Sequence, residues 1–412
     1  MQQTIQPYIK MLGKWIYYGI LDDTYNEFFV EEKIKESFKD KSNSNLTENF
    51  WQDKYKLKAN KIPSFLSQFS QKIFLTGKYV NVIRSYDPEQ KLNTEVILLG
   101  DYVFTLYNED LRLAIDSAYK WANNELIRII FEKEMFRQRM NSLKHYFFLD
   151  TGDLFMHFLD LSEIEFKKNV RNISLTKLQH YLETAVRSSM VYMDEFNESV
   201  SCSLSKYSTY EMFQAFQHYK GLKKYTKKEF EDKYGFGSTY DNKKGYETFD
   251  IEYKLEFPLN LIISKAVILR YQILFRYLFT LKYAERELTS TWMVFKEHKD
   301  LSRNKVIRFP SNLIQRMLHF CKTLIYHFVY EVIEKNWTIF MKEIETKINV
   351  FEDIINFQET FLHSCFDETL LFDKNFKDLI WKVLMFFIFS SEKIKGFLSS
   401  YFAFDYKSII VI

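Results

Sequence analysis

The chain has 412 residues, 47% of them hydrophobic, more than one core can absorb, because single cores stop growing beyond roughly 250–300 residues. Its 57 basic and 54 acidic side chains nearly cancel to +3, which excludes the clustered basic footprint of a nucleic-acid binder. With only 10 Gly and 5 Pro, and no Pro between Pro88 and Pro258, the composition favours an all-α chain, and 41 Phe with 28 Tyr supply the large side chains that weld long helices together.

The start, Met1-Gln2-Gln3-Thr4-Ile5-Gln6-Pro7, lacks the basic region followed by an apolar one that marks a secretory signal. Leu111, Ile115, Ala118, Ala122, Leu126 and Ile129 step by three and four, which predicts a helix with one apolar stripe, running on through Phe136 toward Leu143. Residues 138–165 then read as two apolar helical pieces around Gly152. Asp150 and Asp153 bracket the break, with Gly152 supplying backbone freedom and Asp153 a cap for the second piece.

Val200, Cys202 and Leu204 alternate with serines, which predicts a short strand. Lys220, Lys223, Lys224, Lys227 and Lys228 come next, interleaved with Tyr219, Tyr225, Glu229 and Glu231, so a solvated helix face is expected there. The glycine-rich run from Gly235 to Gly245 is expected to be a mobile loop. Phe249, Ile251, Tyr253, Leu255 and Phe257 alternate with Asp250, Glu252, Lys254 and Glu256, a period of two that only a strand can use. The two strands predict a small ribbon, which is marginal alone and must lean on the bundle or on a partner.

Leu261 to Trp292 is apolar almost all round but carries Lys265, Arg270, Arg276, Lys282, Glu285, Arg286 and Glu287. A helix inside a bundle is expected, its charges reaching an edge or a partner. After a start signal at Pro310-Ser311-Asn312, Leu313, Met317, Phe320, Leu324, Phe328 and Val332 predict a second long helix that buries one face. The apolar stretch 379–389 is interrupted by Lys382 and falls short of the ~18 residues a membrane span needs, so no insertion is expected.

Signs of catalysis are missing. There is no phosphate-cradling glycine loop, nucleophile elbow or HExxH, and Gly235-Phe236-Gly237 is a lone GxG. His319, Cys321 and His327 do not share metal-ligand spacing. Asp150, Asp153, Asp160, Glu163 and Glu165 lack the ligand order of a cation loop. Cys202, Cys321 and Cys365 are odd in number without a CxxC pair, which fits a reducing compartment. The residues therefore describe a non-enzymatic helical scaffold with no cofactor and no metal, presenting surface to a protein partner.

Trp15 to Glu32, Ile62 to Leu66, Thr76 to Arg84, the 143–160 joint, Phe249 to Ile263, Arg270 to Phe279, Arg316 to Phe320, Tyr330 to Trp337 and Phe361 to Cys365 together resemble, in one order, the gamma-tubulin complex components. The likeness is strongest to the component 2 branch. It implies a mainly α fold, an elongated stack of helical bundles with one small two-stranded β ribbon. Residues 1–137 would be the end of the N-terminal GRIP region, which in the family makes lateral contacts, here to component 3. Residues 138–412 would be the C-terminal GRIP region, which binds gamma-tubulin.

The implied role is support of microtubule nucleation at microtubule-organising centres in the cytoplasm, with GTP belonging to the tubulins. The expected tubulin contacts are Glu252, Lys254 and Glu256 on the ribbon's polar side, with Arg270 and Arg276 beyond. A helical adaptor for another cytoskeletal or coat protein is the alternative. By the same resemblance the chain begins far inside the N-terminal region and runs through 399–412 without the family's terminal helix, which would expose apolar surface near Trp381 to Phe389.

Overall fold

A computed structural model describes residues 2–32, 54–88, 109–217, 243–297 and 305–410, and these are mostly helical. The lysine run at 220–228 and the glycine-rich segment up to Asn242 lie outside the described residues. The first elements are α1 (Gln2–Tyr18), β1 (Val30–Glu32), β2 (Tyr55–Leu57), α2 (Ser70–Tyr86), α3 (Glu109–Arg128), α4 (Phe136–Phe147), α5 (Gly152–Leu161), α6 (Glu163–Lys167) and α7 (Leu175–Arg187). After them come β3 (Val200–Leu204), α8 (Thr209–Gln217), a helical turn (Gly245–Thr248), β4 (Phe249–Tyr253), α9 (Lys265–Glu297), α10 (Lys305–Tyr326), α11 (Lys335–Thr346), α12 (Phe351–Glu368) and α13 (Lys374–Ile410).

The chain divides into two units. The first holds Met1–Arg137, Leu255–Ala266 and Lys347–Asn356, and the second holds Gln138–Lys254, Val267–Thr346 and Phe357–Ile412.

In the first unit, Leu12, Trp15 and Ile16 of α1 pack with Phe28, Phe29, Tyr55, Ile73 and Ile115. The indole nitrogen of Trp15 donates to the Ile73 carbonyl at 3.0 Å, so this large ring is fixed by packing and by a hydrogen bond. The predicted stripe on α3 is the inward face, with Ile115, Ala118, Ala122, Leu126 and Ile129 all buried. Buried Asn123 of α3 donates to the Asn349 carbonyl at 2.9 Å and accepts from the Phe351 amide at 2.8 Å. One side chain thereby pins the distant 347–356 segment. The ribbon β1–β2 has no sequence signature, because three residues a strand are too few to display an alternation.

Helix α3 does not run through to Leu143. A π-helical turn, Ile129–Lys133, leads to Met135 in the left-handed region (φ 50°), and α4 starts afresh at Phe136. The joint near 150 also differs from its sequence reading. The left-handed residue there is Leu149 (φ 54°), while Gly152 is the first residue of α5 with open space where a Cβ would stand. The N-cap position of α5 is Thr151, and Asp153 serves the first turn from inside it: one carboxylate oxygen accepts from the Leu154 amide at 2.9 Å and the other from the Met190 amide at 3.1 Å, tying α5 to the turn Met190–Met193. Gly152→Ala is accordingly expected to leave stability unchanged or to raise it by up to about 1 kcal/mol. A melting experiment showing a loss beyond about 1 kcal/mol would mean that this joint requires glycine.

The second unit is organised around α9. Phe275 and Phe279 meet Phe249 of β4 at 6.0 and 4.9 Å, Phe155 of α5 lies 5.6 Å from Phe275, and Phe166 of α6 sits 5.1 Å from Phe249. This confirms packing as the role of many of the aromatic residues. The charges predicted to reach an edge of α9 do not all do so, for Arg276, Glu285, Arg286 and Glu287 are buried. Arg276 bonds main-chain carbonyls, Arg286 bonds Glu287, and Glu285 pairs with Lys282 at 2.9 Å, so each buried charge has an opposite charge or a polar group beside it.

Pro310 lies within α10 and does not start it. The expected stripe holds at Met317, Phe328 and Val332, which are buried, and fails at Phe320, which is exposed while Ile314 and Cys321 turn inward. A π-helical segment, His327–Glu334, follows α10 and keeps Phe328, Val329, Val332 and Ile333 buried.

Candidate partner-binding surface

β3 and β4 pair antiparallel with Val200 opposite Tyr253, Cys202 opposite Ile251 and Leu204 opposite Phe249. The ribbon was predicted to run to Phe257, but β4 ends at Tyr253. β3 has five residues, and beyond Val200 the alternating pattern has no strand to pair with. Phe249, Ile251 and Tyr253 face the core, while Glu252 and Lys254 are exposed. Gln272 of α9 donates to the Ile251 carbonyl at 2.9 Å and fastens the ribbon to the helix, so it leans on the bundle.

The structure separates the five candidate contact residues. Glu252 and Lys254 stand together on the polar side of β4. Glu256 is exposed in the first unit. Arg270 is half-buried and sits two positions from Gln272, about 200° round the helix, so it does not join Glu252 and Lys254 on the ribbon's polar face.

Arg276 is a different kind of residue from the one expected. It is 1% exposed, and its guanidinium donates to the carbonyls of Tyr207 and Glu247, both at 2.7 Å, and to the Met212 sulfur at 3.1 Å. It therefore clamps the chain that leads into α8 to the turn that leads into β4 and is not available to a partner.

Asp250 corrects the simple alternation of β4, being 4% exposed although it falls on the nominally polar side. Burial pushes its carboxyl up to about 7, offset in part by the Arg276 charge and the Ile251 amide. Burial likewise lowers the pKa of Arg276, against the attraction of Asp250 and Glu211.

The acidic residues of 150–165 are not a cluster. Asp150 bonds the His145 ring at 2.9 Å, which raises the histidine pKa against its burial, and Glu165 bonds Lys168 at 2.6 Å. Asp160 accepts from Arg286 at 3.1 Å, and Glu163 is bonded by Arg286 and Lys167, which hold its carboxyl down to about 2 against the opposing effect of burial. Arg286 also donates to buried Glu287 at 2.7 Å, and Lys395 reaches the other oxygen of that carboxylate at 2.8 Å. Among the described residues, no group of three or more His, Cys, Asp or Glu is placed to hold a metal ion, and no helix is long and apolar enough to cross a membrane. Burial pushes the Cys202 and Cys321 thiols up to about 12, so they stay protonated and poorly nucleophilic.

What the structure offers instead is open surface. The turn Met190–Met193 presents Met190, Tyr192 and Met193 to solvent around an anchored Val191. The outer faces of α10 and α13 carry exposed aromatic rings, including Phe320, Phe386 and Phe389. Exposed apolar area of this kind marks contact surface.

Comparison with known proteins gives these surfaces a setting. The family model described as Gamma tubulin complex component N-terminal matches residues 1–133, and that described as Gamma tubulin complex component C-terminal matches residues 136–397. Gamma-tubulin complex component 2 of Mus musculus is 33% identical over 369 residues, covering 89% of this chain and 39% of the mouse protein. Gamma-tubulin complex component 2 of Arabidopsis thaliana is 32% identical over 368 residues, covering 88% of this chain and 51% of that protein. Spindle pole body component alp4 of Schizosaccharomyces pombe is 29% identical, with 89% of this chain and 52% of that protein covered. The chain thus spans between 39% and 52% of the length of these relatives.

Proposed function

This chain belongs to the gamma-tubulin complex component family, and from that premise we propose that it is a non-enzymatic scaffold subunit that binds gamma-tubulin and supports microtubule nucleation at cytoplasmic microtubule-organising centres. The observation that carries this reading is the match of both family models in succession, 1–133 and then 136–397, which together take in nearly the whole chain. Residues 138–412 act as the gamma-tubulin-binding region. Residues 1–137 act as the end of the region that contacts a neighbouring component laterally, component 3 in the arrangement proposed here. The reading assigns no cofactor chemistry to this chain.

Glu252 and Lys254 are the tubulin contacts best supported by exposure and by their place on a ribbon fastened to α9. Glu256 and Arg270 are proposed contacts of lesser weight, and Arg276, buried in the fold, does not reach a partner. The double reversal Glu252→Lys with Lys254→Glu is expected to weaken gamma-tubulin binding roughly tenfold, mostly through the association rate, with the melting temperature unchanged. Binding that is indifferent to this double reversal would remove the ribbon from the interface.

A further inference from the structure

The outer side of α13 carries a seam left open to solvent. Leu379, Lys382, Phe386, Phe389, Lys393 and Phe397 are all exposed, Leu379, Phe386 and Phe389 at 60%, 57% and 56%. Their successive steps of three, four, three, four and four place four apolar side chains and two lysines on one face of the helix, not scattered singly over a surface. The outer face of α10 continues it. Phe320 meets Phe387 edge-on at 5.8 Å, and Arg316, His319 and Lys322 flank Phe320 along the exposed side of that helix.

The charge of this face has one sign. Residues 305–330 contain no Asp or Glu. Between Leu379 and Phe397 the one acid is Glu392, which is taken up by Lys244 at 2.9 Å. Arg316, Lys322 and Lys382 have no ion pair among the described residues, and Lys393 lies over the Phe389 ring at 5.3 Å.

We propose that the face formed by α13 and α10 docks an acidic amphipathic helix of a partner protein. The three-four spacing fits the knobs of another helix, and the unneutralised cations beside the rings call for carboxylates along the flanks of that helix. A second copy of this chain is the wrong occupant, because pairing the face with itself would set Lys382 and Lys393 among their own kind with no carboxylate to offset them. The inference stands independently of the gamma-tubulin reading, since it rests on spacing, exposure and charge alone.

The test is fluorescence anisotropy with the full chain and two labelled helical peptides of about four heptads, both with leucine at the seam positions. One has glutamate and the other lysine at the flanking positions. The acidic peptide is expected to bind saturably and the basic one at least roughly tenfold more weakly. The double variant Phe386→Ser with Phe389→Ser is expected to lose roughly tenfold in affinity for the acidic peptide while melting as the parent does, because both rings are exposed. Lys382→Glu with Lys393→Glu is expected to reverse the preference between the peptides.

Equal binding of the two peptides, absence of binding by the acidic one, or an unaltered affinity in the phenylalanine double variant would each overturn the proposal. So would a parent chain that sediments as a dimer and becomes monomeric in that variant, which would make a second copy the occupant. Association of the parent with phosphatidylserine vesicles, lost in the same variant, would assign the face to a membrane and overturn it equally.

Discussion

Arg276→Ala is expected to destabilise the second unit by about 3–5 kcal/mol, the cost of breaking a buried charge constellation by removing one member. The loss has two parts. The carbonyls of Tyr207 and Glu247, both now bonded by the guanidinium at 2.7 Å, lose their donor, and Asp250 is left in the interior without the cation that offsets its burial.

Asp250 gives the prediction a pH signature. Its carboxyl is pushed from 3.8 up to about 7, so between those values the folded chain holds a proton that the unfolded chain has released. Stability contributed by this group is therefore full below about 4, falls as pH rises toward 7 and levels above it. Asp250→Asn should flatten that slope, and combined with Arg276→Ala it should recover part of the loss, because the uncompensated charge is gone. Melting curves of the parent, both single variants and the double variant at pH 5 and pH 8 provide the check. A loss below about 1 kcal/mol for Arg276→Ala would mean that the clamp is dispensable.

Gly77→Ala carries the other large effect, about 3 kcal/mol against the first unit, at the upper end for overpacking a closed core. A Cβ at residue 77 would stand 2.0, 2.3 and 2.5 Å from Cε2, Nε1 and Cδ2 of Trp15. These are ring atoms of a fully buried indole that is bonded to the Ile73 carbonyl and lies edge-on to Tyr55 at 4.8 Å. The ring cannot swing aside as a flexible chain end would, so α1 and α2 must separate. The same substitution at Gly152 meets nothing, which makes the pair a controlled comparison. Hydrogen exchange at the amides of α1 and α2 should quicken in Gly77→Ala and stay as in the parent in Gly152→Ala. Unchanged protection in both would mean that the packing around Trp15 yields.

Much of the helical architecture was legible because each stripe reports one face. Ile115 to Ile129 repeats by three and four and is buried throughout, and the alternation at Phe249, Ile251 and Tyr253 fixed a strand and its inward side. Breaks were harder to read. Met135 and Leu149 adopt left-handed backbone without being glycine, and nothing in a leucine or methionine announces that. Alternation overran at Leu255 and Phe257 because a pattern cannot say where its pairing partner stops.

Arg276 shows the limit most clearly. Set between Phe275 and Tyr277, an arginine reads the same whether its head reaches solvent or turns inward. Two of its acceptors are main-chain carbonyls at residues 207 and 247 and the third is the Met212 sulfur, none of which has a sequence signature as a partner for arginine. The open seam on α13 did have a signal, in the spacing of Leu379, Phe386 and Phe389 and in the absence of acids from 305 to 330. Which side of each helix was outermost had to come from the structure.

The most direct measurement is sedimentation velocity of the purified full chain mixed with purified gamma-tubulin. The reading of this chain as a gamma-tubulin-binding scaffold predicts a co-sedimenting complex that is absent from either component alone and is preserved in Gly152→Ala. A folded parent chain that sediments independently of gamma-tubulin at every ratio would contradict it.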